Sequence, residues 1–427
     1  MKKNIQVISD NFLCSACGAC NVICPKNAIR FEWSNMGRKY AMVNENECVN
    51  CGMCTKVCPS LDYFNLRNNF EDLFVGDIAK TYIGRASDFE VYKNAQSGGV
   101  CTAILSHLFE VGKIDAAIVC KMSYGKRPLV EGIVVEKISQ LAECQKSCYT
   151  PVDVLSALKK CGEKKSIALV GIPCQIEGAI NLQRVSSKFH NISYRIGLVC
   201  DGVMGATAMD VMTSFQDEEN VRIEWKKKCL RKNGIESFDY TNAPVCVCHE
   251  NGSQCIIPKR HRVLIKDMFV PPRCRLCYDK LNIHADIVLG DPWGMSGYDR
   301  VHGDNVVVAR TALGESLIEE MNSLKKISLK EVSFSDFTSG QKIELRRQLV
   351  SSFSNALKRQ SVETYLYEQN YVPISKDCVK KARAKENLFL KCDKMDGKAI
   401  VQIARKKIFA DQGVIRKIGR FIKGFVK

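Results

Sequence analysis

The chain has 427 residues, 46% hydrophobic and 26% charged, enough for a buried core shared by about two or three domains. Its 63 Lys and Arg against 46 Asp and Glu leave a formal charge of +17, which bears on partners and not on fold; without a recognition motif or aromatic–basic interleaving, an acidic protein or small molecule is expected and no nucleic acid. The 23 cysteines lack the spacing of a secreted disulfide scaffold, no apolar h-region follows the opening lysines, and no run reaches the length of a membrane span, so a reducing cytoplasm is expected.

Residues 1–62 carry one cysteine ladder twice. Cys14, Cys17, Cys20 and Cys24 precede Pro25, and Cys48, Cys51, Cys54 and Cys58 precede Pro59. Both read C-x2-C-x2-C-x3-C-P, the spacing of bacterial two-cluster ferredoxins, in which the fourth cysteine ligates the other cluster. The expected sets are Cys14, Cys17, Cys20 and Cys58 for one 4Fe–4S cluster, and Cys48, Cys51, Cys54 and Cys24 for the second. Tetrahedral zinc would leave the third cysteine and the proline of each copy without a purpose.

Residues 63–80 read as a linker with some apolar anchoring, and residues 81–335 as an α/β body. "QSGGV" is a glycine turn before a helix over Val100–Glu110, followed by a buried strand near Ala116–Cys120. "SIALVGIPCQIEGAINL" and "YRIGLVCDGVMGATAMDVMTSF" each read strand, turn, helix; "ADIVLGDPWG" and "DNVVVARTALGESLIEEM" add strand-then-loop units. A mainly parallel sheet covered on both faces is expected, with an antiparallel insertion over residues 221–257.

Within that insertion Asn251-Gly252 predicts a type I′ hairpin turn. Cys246 and Cys248 then share one face, and Cys255 stands opposite Cys248. Packed thiols are expected there in preference to a metal site with His249. Residues 336–427 read as helical and basic. Ile415, Ile418, Phe421, Ile422 and Phe425 form an apolar stripe, suited to an anionic membrane surface or to docking on the body or a partner.

Four strings carry chemistry. Ser97, Gly98 and Gly99 stand before a helix, where free N–H groups and the helix dipole favour phosphate. Cys174 and Cys200 end successive strand units, where open α/β sheets bind ligands. Cys274 and Cys277 form a C-x2-C pair, the part of this foursome that is a ligand signature in itself. Together the four suggest a third cluster site. The six histidines show no paired spacing, and Asp291 and Lys121 are the acid–base candidates near strand ends.

"QSGGVCTAIL", "GIPCQIEGAI", "CDGVMG" and "CRLCYDKLNIHADIVLGDPWG" occur in this order. Over roughly residues 80–310 the chain resembles the beta-subunit family of coenzyme F-420 hydrogenases and dehydrogenases, which also includes plant-type hydroxymethyl chlorophyll reductases. The resemblance implies FAD beside a 4Fe–4S cluster in the body. Cys174, Cys200, Cys274 and Cys277 match the cluster ligands. Ser97, Gly98, Gly99, Val100, Gly171, Ile172, Pro173, Gly290 and Asp291 would surround the flavin. Cys148 in "KSCYTP" stands where many members have lysine, and Lys226 and Lys228 lie in a basic stretch suited to an anionic substrate or to a solvated loop.

The implied activity is electron exchange between an acidic ferredoxin- or flavodoxin-like carrier and a hydride-exchanging organic substrate. Coenzyme F-420 and a cell-surface polysaccharide precursor are the two placements. A non-catalytic electron-transfer subunit of a larger complex is the alternative.

Overall fold

The computed structural model describes residues 4–228, 240–357 and 371–425, and side chains among these apart from 240 and 412–425. The N-terminal unit comprises helices α1 (Gln6–Asp10) and α2 (Ala19–Ile23), a hairpin of β1 (Ile29–Trp33) and β2 (Lys39–Val43), and α3 (Met53–Lys56). β1 and β2 pair antiparallel from Ile29↔Val43 to Trp33↔Lys39. Ile5, Ile8, Leu13, Ala19 and Val57 fill its interior.

The body begins with β3 (Lys80–Ala86), α4 (Phe89–Asn94) and α5 (Val100–Glu110), then β4 (Ala116–Ser123) and β5 (Leu129–Val135). Next come β6 (Ile167–Gly171), α6 (Pro173–Val185), β7 (Ile192–Leu198) and α7 (Thr207–Thr213). The insertion is β8 (Val221–Glu224), β9 (Val245–His249) and β10 (Gln254–Ile257), followed by α8 (Lys259–Phe269) and α9 (Pro272–Arg275). β11 (Ile287–Gly290), β12 (Asn305–Ala309), α10 (Ala312–Ser323) and β13 (Ile327–Val332) complete the body. α11 (Phe334–Gly340), α12 (Ile343–Ala356), α13 (Lys376–Asp393) and α14 (Gly397–Phe425) form the helical end.

Eight strands make one sheet in the order β13-β3-β12-β11-β7-β6-β4-β5. The expectation of a mainly parallel sheet needs correction. Only the centre, β11-β7-β6-β4, is parallel; β5, β12, β3 and β13 pair antiparallel. The cause lies in the connections. A parallel return needs a crossover of a dozen residues or more, usually helical, whereas β4 turns into β5 within a few residues and no helix separates β11 from β12.

Both faces are covered, and period-2 alternation decides which residue faces which layer. Ala117, Val119, Ala168, Val170, Leu289 and Val307 face α5 and α10. Ile118, Leu169, Val288 and Val306 face the larger core that includes α6 and the N-terminal unit. Because β4, β6, β7 and β11 run parallel, their C-terminal ends lie along one edge of the sheet.

β10-β9-β8 form the separate antiparallel insertion. Its turn differs from the predicted one: Gly252 takes φ = 87° alone, where a type I′ turn needs both central residues positive. His249 N–H bonds Ser253 O at 3.0 Å, and the register pairs Cys248 with Gln254 and Val247 with Cys255. Cys255 thus stands one position away from its expected place, on the opposite face from Cys248. At the C-terminal end, Ile400, Ala404 and Ile408 of α14 are buried where it packs on α7 and α8. The predicted stripe Ile415–Phe425 lies outside the described side chains. Among the described residues no helix is long and apolar enough to cross a membrane.

Candidate functional site

Each half of the N-terminal unit gathers thiols from both cysteine ladders. Burial raises the Cys20 thiol, and the charges of Cys14, Cys17, Cys58 and Cys54 raise it further. Cys58 is raised by burial and by Cys17 and Cys14; burial pushes Cys17 up to about 12. On the other side Cys54 is raised by burial, then by Cys48, Cys51 and Cys24. Cys24, Cys48, Cys51 and Cys54 line a single cavity with Pro25 and Asn4. Crowded thiols, of which Cys17, Cys20, Cys54 and Cys58 are buried, would repel one another as anions and fit a positively charged iron core, because coordination deprotonates a thiol outright. Among the described residues no three His, Cys, Asp or Glu groups close around one ion; the ligands of a single tetrahedral zinc would stand about 4 Å apart.

The four body cysteines converge beside the first set. Cys174 opens α6, Cys200 follows β7, and Cys274 and Cys277 flank the end of α9. Burial raises Cys174, as do Cys17, Cys277 and Cys200, while Arg273 lowers it. Cys200 is pushed up to about 12 by burial and by Cys274 and Cys277. Arg346 clamps the loop: Nε donates to Cys277 O and Nη2 to Cys274 O, both at 2.9 Å. Arg273, 3% exposed, donates from Nε to Ser60 Oγ at 2.9 Å and acts on Cys58, Cys174 and Cys274 alike.

One close approach joins the two units. A Cβ on Gly178 would meet Cys17 Sγ at 3.3 Å and Leu155 Cδ1 at 3.1 Å, so α6 lies against the first cysteine loop. Leu155 N–H bonds Cys17 O at 3.1 Å, and Lys39 pairs with Asp153. Cys174 is one turn earlier on the same helix. Beside it Glu177 is buried, and desolvation lifts its carboxyl to about 8 against the pull of Arg273.

Residues expected around a flavin gather at the same sheet edge. Asn305 Nδ2 donates to Ser97 Oγ at 2.9 Å and Gly290 O at 3.2 Å, tying the "QSGGV" turn to the end of β11. Its Oδ1 accepts from Val100 N at 3.2 Å, so this helix-start amide is engaged within the protein. Gly98 is explained by packing: its Cβ would lie 2.6 Å from Asn305 N and Gly84 O. At β6, Asn282 Nδ2 donates to Gly171 O at 2.9 Å, and Ile172 N donates to Gln175 Oε1 at 2.9 Å, just ahead of Pro173. Asp291 pairs with the buried Lys226.

Lys228 stands apart from these pairs. Its Nζ donates to Tyr92 O at 2.8 Å and Ser97 O at 2.7 Å and lies 3.4 Å from the Tyr92 ring centre. Burial, then Arg85, lower it to about 7. A desolvated cation held by carbonyls and a ring beside a glycine turn fits an anionic group. An open cleft of about 590 Å³ adjoins it, lined by Asn94, Thr102, Gln145, Lys146, Lys227 and Lys228.

Comparison with known proteins bears on the same segments. Two profiles describe the beta subunit of coenzyme F420 hydrogenase/dehydrogenase: the one for its N-terminal part matches residues 81–159, and the one for its C-terminal part matches 164–334. A 4Fe-4S dicluster domain matches 13–61. The chain belongs to the coenzyme F420 hydrogenase/dehydrogenase beta-subunit family. It is 27% identical over 350 residues to the coenzyme F420-dependent sulfite reductase of Methanocaldococcus jannaschii, covering 77% of this chain and 49% of that protein. The chain thus spans about half the length of that relative. Identity to a subunit of the F(420)H(2) dehydrogenase of Methanosarcina mazei is 27% over 332 residues, 75% of this chain and 85% of that one. A chain of the F420-reducing [NiFe] hydrogenase complex from Methanosarcina barkeri shares the fold, with TM-score 0.51 and 19% identity over 67% of this chain and 96% of that chain.

Several site residues of this beta-subunit family member carry little sequence signal. Arg346 comes from α12, far from the ligands in sequence. Asn305 reads as an ordinary strand start. Gln96, whose Nε2 donates to Ser147 Oγ at 3.1 Å and Tyr149 OH at 3.2 Å, precedes the turn that drew attention. The loop it holds has Lys146 at φ 82° and Tyr149 at φ 50°, costly for residues with side chains. Cys148 within it is raised by burial and by Cys120 and Cys144. Arg273 had one available cue, its place beside the C-x2-C pair. Lys121 pairs with Glu143 at the surface.

Proposed function

We propose that this chain is an iron–sulfur flavoprotein oxidoreductase relaying electrons between an acidic ferredoxin- or flavodoxin-like carrier and a hydride-exchanging organic substrate. The observation that carries this reading is the contact of the first cysteine loop with α6, which sets Cys17 beside Cys174 across Gly178. In this reading Cys14, Cys17, Cys20 and Cys58 hold one 4Fe–4S cluster, Cys48, Cys51, Cys54 and Cys24 the second, and Cys174, Cys200, Cys274 and Cys277 a third. Bound FAD supplies the exchange between one-electron and two-electron chemistry that iron–sulfur clusters lack.

The residues fitted to hold FAD are Ser97–Val100, Gly171–Pro173 and Gly290–Asp291, with Lys228 facing its anionic part. Asn305 and Asn282 fix the strand ends those residues occupy. Gln96 keeps the Ser147–Tyr149 loop in place. Lys228 is half-buried at the wall of the open cleft, and its partial desolvation strengthens its pull on an anion.

Coenzyme F-420 is the favoured substrate, because the family profiles and the relatives' names refer to it. The polysaccharide-precursor placement rests on the basic helical end alone, in a cytoplasmic protein whose α14 rests on the inner face of the membrane. A second reading, an electron-transfer subunit of a larger complex, is favoured by relatives named as subunits. An anaerobic spectral titration separates them. Bleaching of flavin and cluster bands by reduced F-420 in the isolated chain is expected. Bleaching only by a ferredoxin, or only after a partner is added, supports the carrier-fed or subunit reading; a purified protein without a flavin band sinks the proposal.

A further inference from the structure

β9 is the middle strand of the three-stranded insertion and carries Cys246 and Cys248 on one face, their Sγ atoms 3.5 Å apart. The register sets Cys246 opposite Glu224 and Cys248 opposite Arg222 on β8. The Glu224 carboxylate gathers Lys146, Lys227 and Arg222. Three cations on one carboxylate leave the thiol face net positive, the setting that activates a cysteine. The contact with Cys246, whose thiol also reaches Gln254 Oε1 at 3.6 Å, draws the Cys248 thiol below the usual range. Cys255, on the other face, has its Sγ 4.0 Å from Phe215 O.

Alternate residues of a strand have Cα atoms about 6.4–6.8 Å apart, the upper end of what a disulfide spans. A bond closed here would pull on the strand and belong to the labile class, not the structural one. Cys248 is 6% exposed and Cys246 fully buried. The open cleft reaches Glu224 and Lys227 on the same face, so the oxidant must be small.

We propose that Cys246 and Cys248 are a redox-active dithiol that hydrogen peroxide converts to an intrastrand disulfide, loosening the β8 pairing that leads into Lys226 and Lys228. The Cys248 thiolate attacks one peroxide oxygen and the O–O bond breaks, leaving Cys248 sulfenic acid and a hydroxide that takes a proton to become water. Cys246 sulfur then displaces the sulfenic oxygen, which leaves as a second water with the Cys246 proton. Two electrons pass from the dithiol to the peroxide. Pairing of Cys246 with Glu224 is strained as the strand contracts, and Glu224 stands two residues before Lys226.

The full, cluster-replete protein treated anaerobically with limiting hydrogen peroxide, then alkylated, unfolded and digested with trypsin, tests this. One tryptic peptide, residues 233–259, contains Cys246, Cys248 and Cys255. The expected product is lighter by two hydrogens and alkylated only at Cys255, at doses that leave cluster absorbance unchanged. Full alkylation of all three at those doses, or a bond that includes Cys255, overturns the proposal. In Cys246→Ser a dimedone adduct is expected on Cys248, and in Cys248→Ser none on Cys246; the reverse pattern overturns the assigned nucleophile. Amide exchange over residues 221–228 is expected to rise on oxidation, and an unchanged rate overturns the link to the lysines.

Discussion

Two cations set the electrostatics of the site, the half-buried Lys228 and the buried Arg273. Lys228 sits at about 7, lowered by burial and by Arg85 and raised by Asp304 and Asp299. An unfolded lysine keeps its proton to far higher pH, so the folded site binds fewer protons over that interval, and its charge is lost as pH rises through about 7. Affinity for an anionic ligand is therefore expected to fall between pH 6 and 8, because the anion needs the protonated form. Lys228→Met is expected to lower affinity about tenfold or more at pH 6 and to flatten the pH profile, measured as flavin binding to deflavinated protein. Arg273 acts differently. It lies between thiols of the N-terminal and body sets, and a fixed cation favours the reduced, more negative state of each. At an effective dielectric of about 20 and a separation of about 8 Å a unit charge contributes on the order of 2 kcal/mol. If the proposed clusters are held at both sets, Arg273→Gln is expected to shift both of their potentials negative by up to about 90 mV, at about 59 mV per tenfold for one electron. Potentiometric titration followed by electron spin resonance reads this; Arg273→Lys is expected to recover part of the shift, and unmoved potentials would leave Arg273 a purely structural clamp.

At the scale of elements, α6 is the joint between the N-terminal unit and the sheet. Gly178→Leu would put a branched side chain against Cys17 Sγ and Leu155, overpacking that costs about 1–3 kcal/mol. The expected result is a chain that keeps its cluster absorbance yet passes electrons to the body more slowly by tenfold or more, read by stopped-flow reduction with a ferredoxin. Gly178→Ala, with contacts a few tenths of an ångström too close, is expected to lose far less. This joint was not legible in the sequence: "GIPCQIEGAI" announces a strand, a turn and a helix, but not what the helix leans on. The helix itself was legible, as was Val100–Glu110, because apolar spacing and a glycine start are local signals. Strand direction was not. The valines of β12 alternate between the two faces whichever way the strand runs, and only the lack of a crossover helix after Gly290 gives the direction away. The hairpin failed for a similar reason. Asn-Gly marks a turn, yet His249 and Ser253 close a longer loop, and one residue of slip moved Cys255 to the other face. Cysteine ladders survive such errors because their spacing is itself the geometry.

Over the whole molecule the charge is uneven. From Lys376 onward the chain carries 16 basic and 5 acidic residues, +11 of the net +17. That segment is attached at both of its described helices: Asp393 of α13 accepts from Met36 N at 3.1 Å in the N-terminal hairpin, and Arg405 of α14 donates to Ser214 O at 2.8 Å. The end of α13 and the start of α14 thus lie next to the cysteine-bearing unit, where the proposed acidic carrier would exchange electrons. Steering of this kind raises association rates tenfold or more and is lost as salt shortens the Debye length from about 10 Å at 0.1 M. Reduction of the protein by an acidic ferredoxin is therefore expected to slow on the order of tenfold between 0.05 and 0.5 M salt, while reduction by a neutral donor stays flat. Removing residues 412–427 takes away five basic residues and no acidic one, yet spares the buried contacts of Ile400, Ala404 and Ile408. The shortened chain is expected to melt within about 2 °C of the full one, as surface changes do, and to show a shallower salt slope with ferredoxin. A slope identical in the two chains would take the docking surface away from the tail and place it on the cysteine-bearing unit itself, where Lys26 lines the cavity of Cys24, Cys48, Cys51 and Cys54.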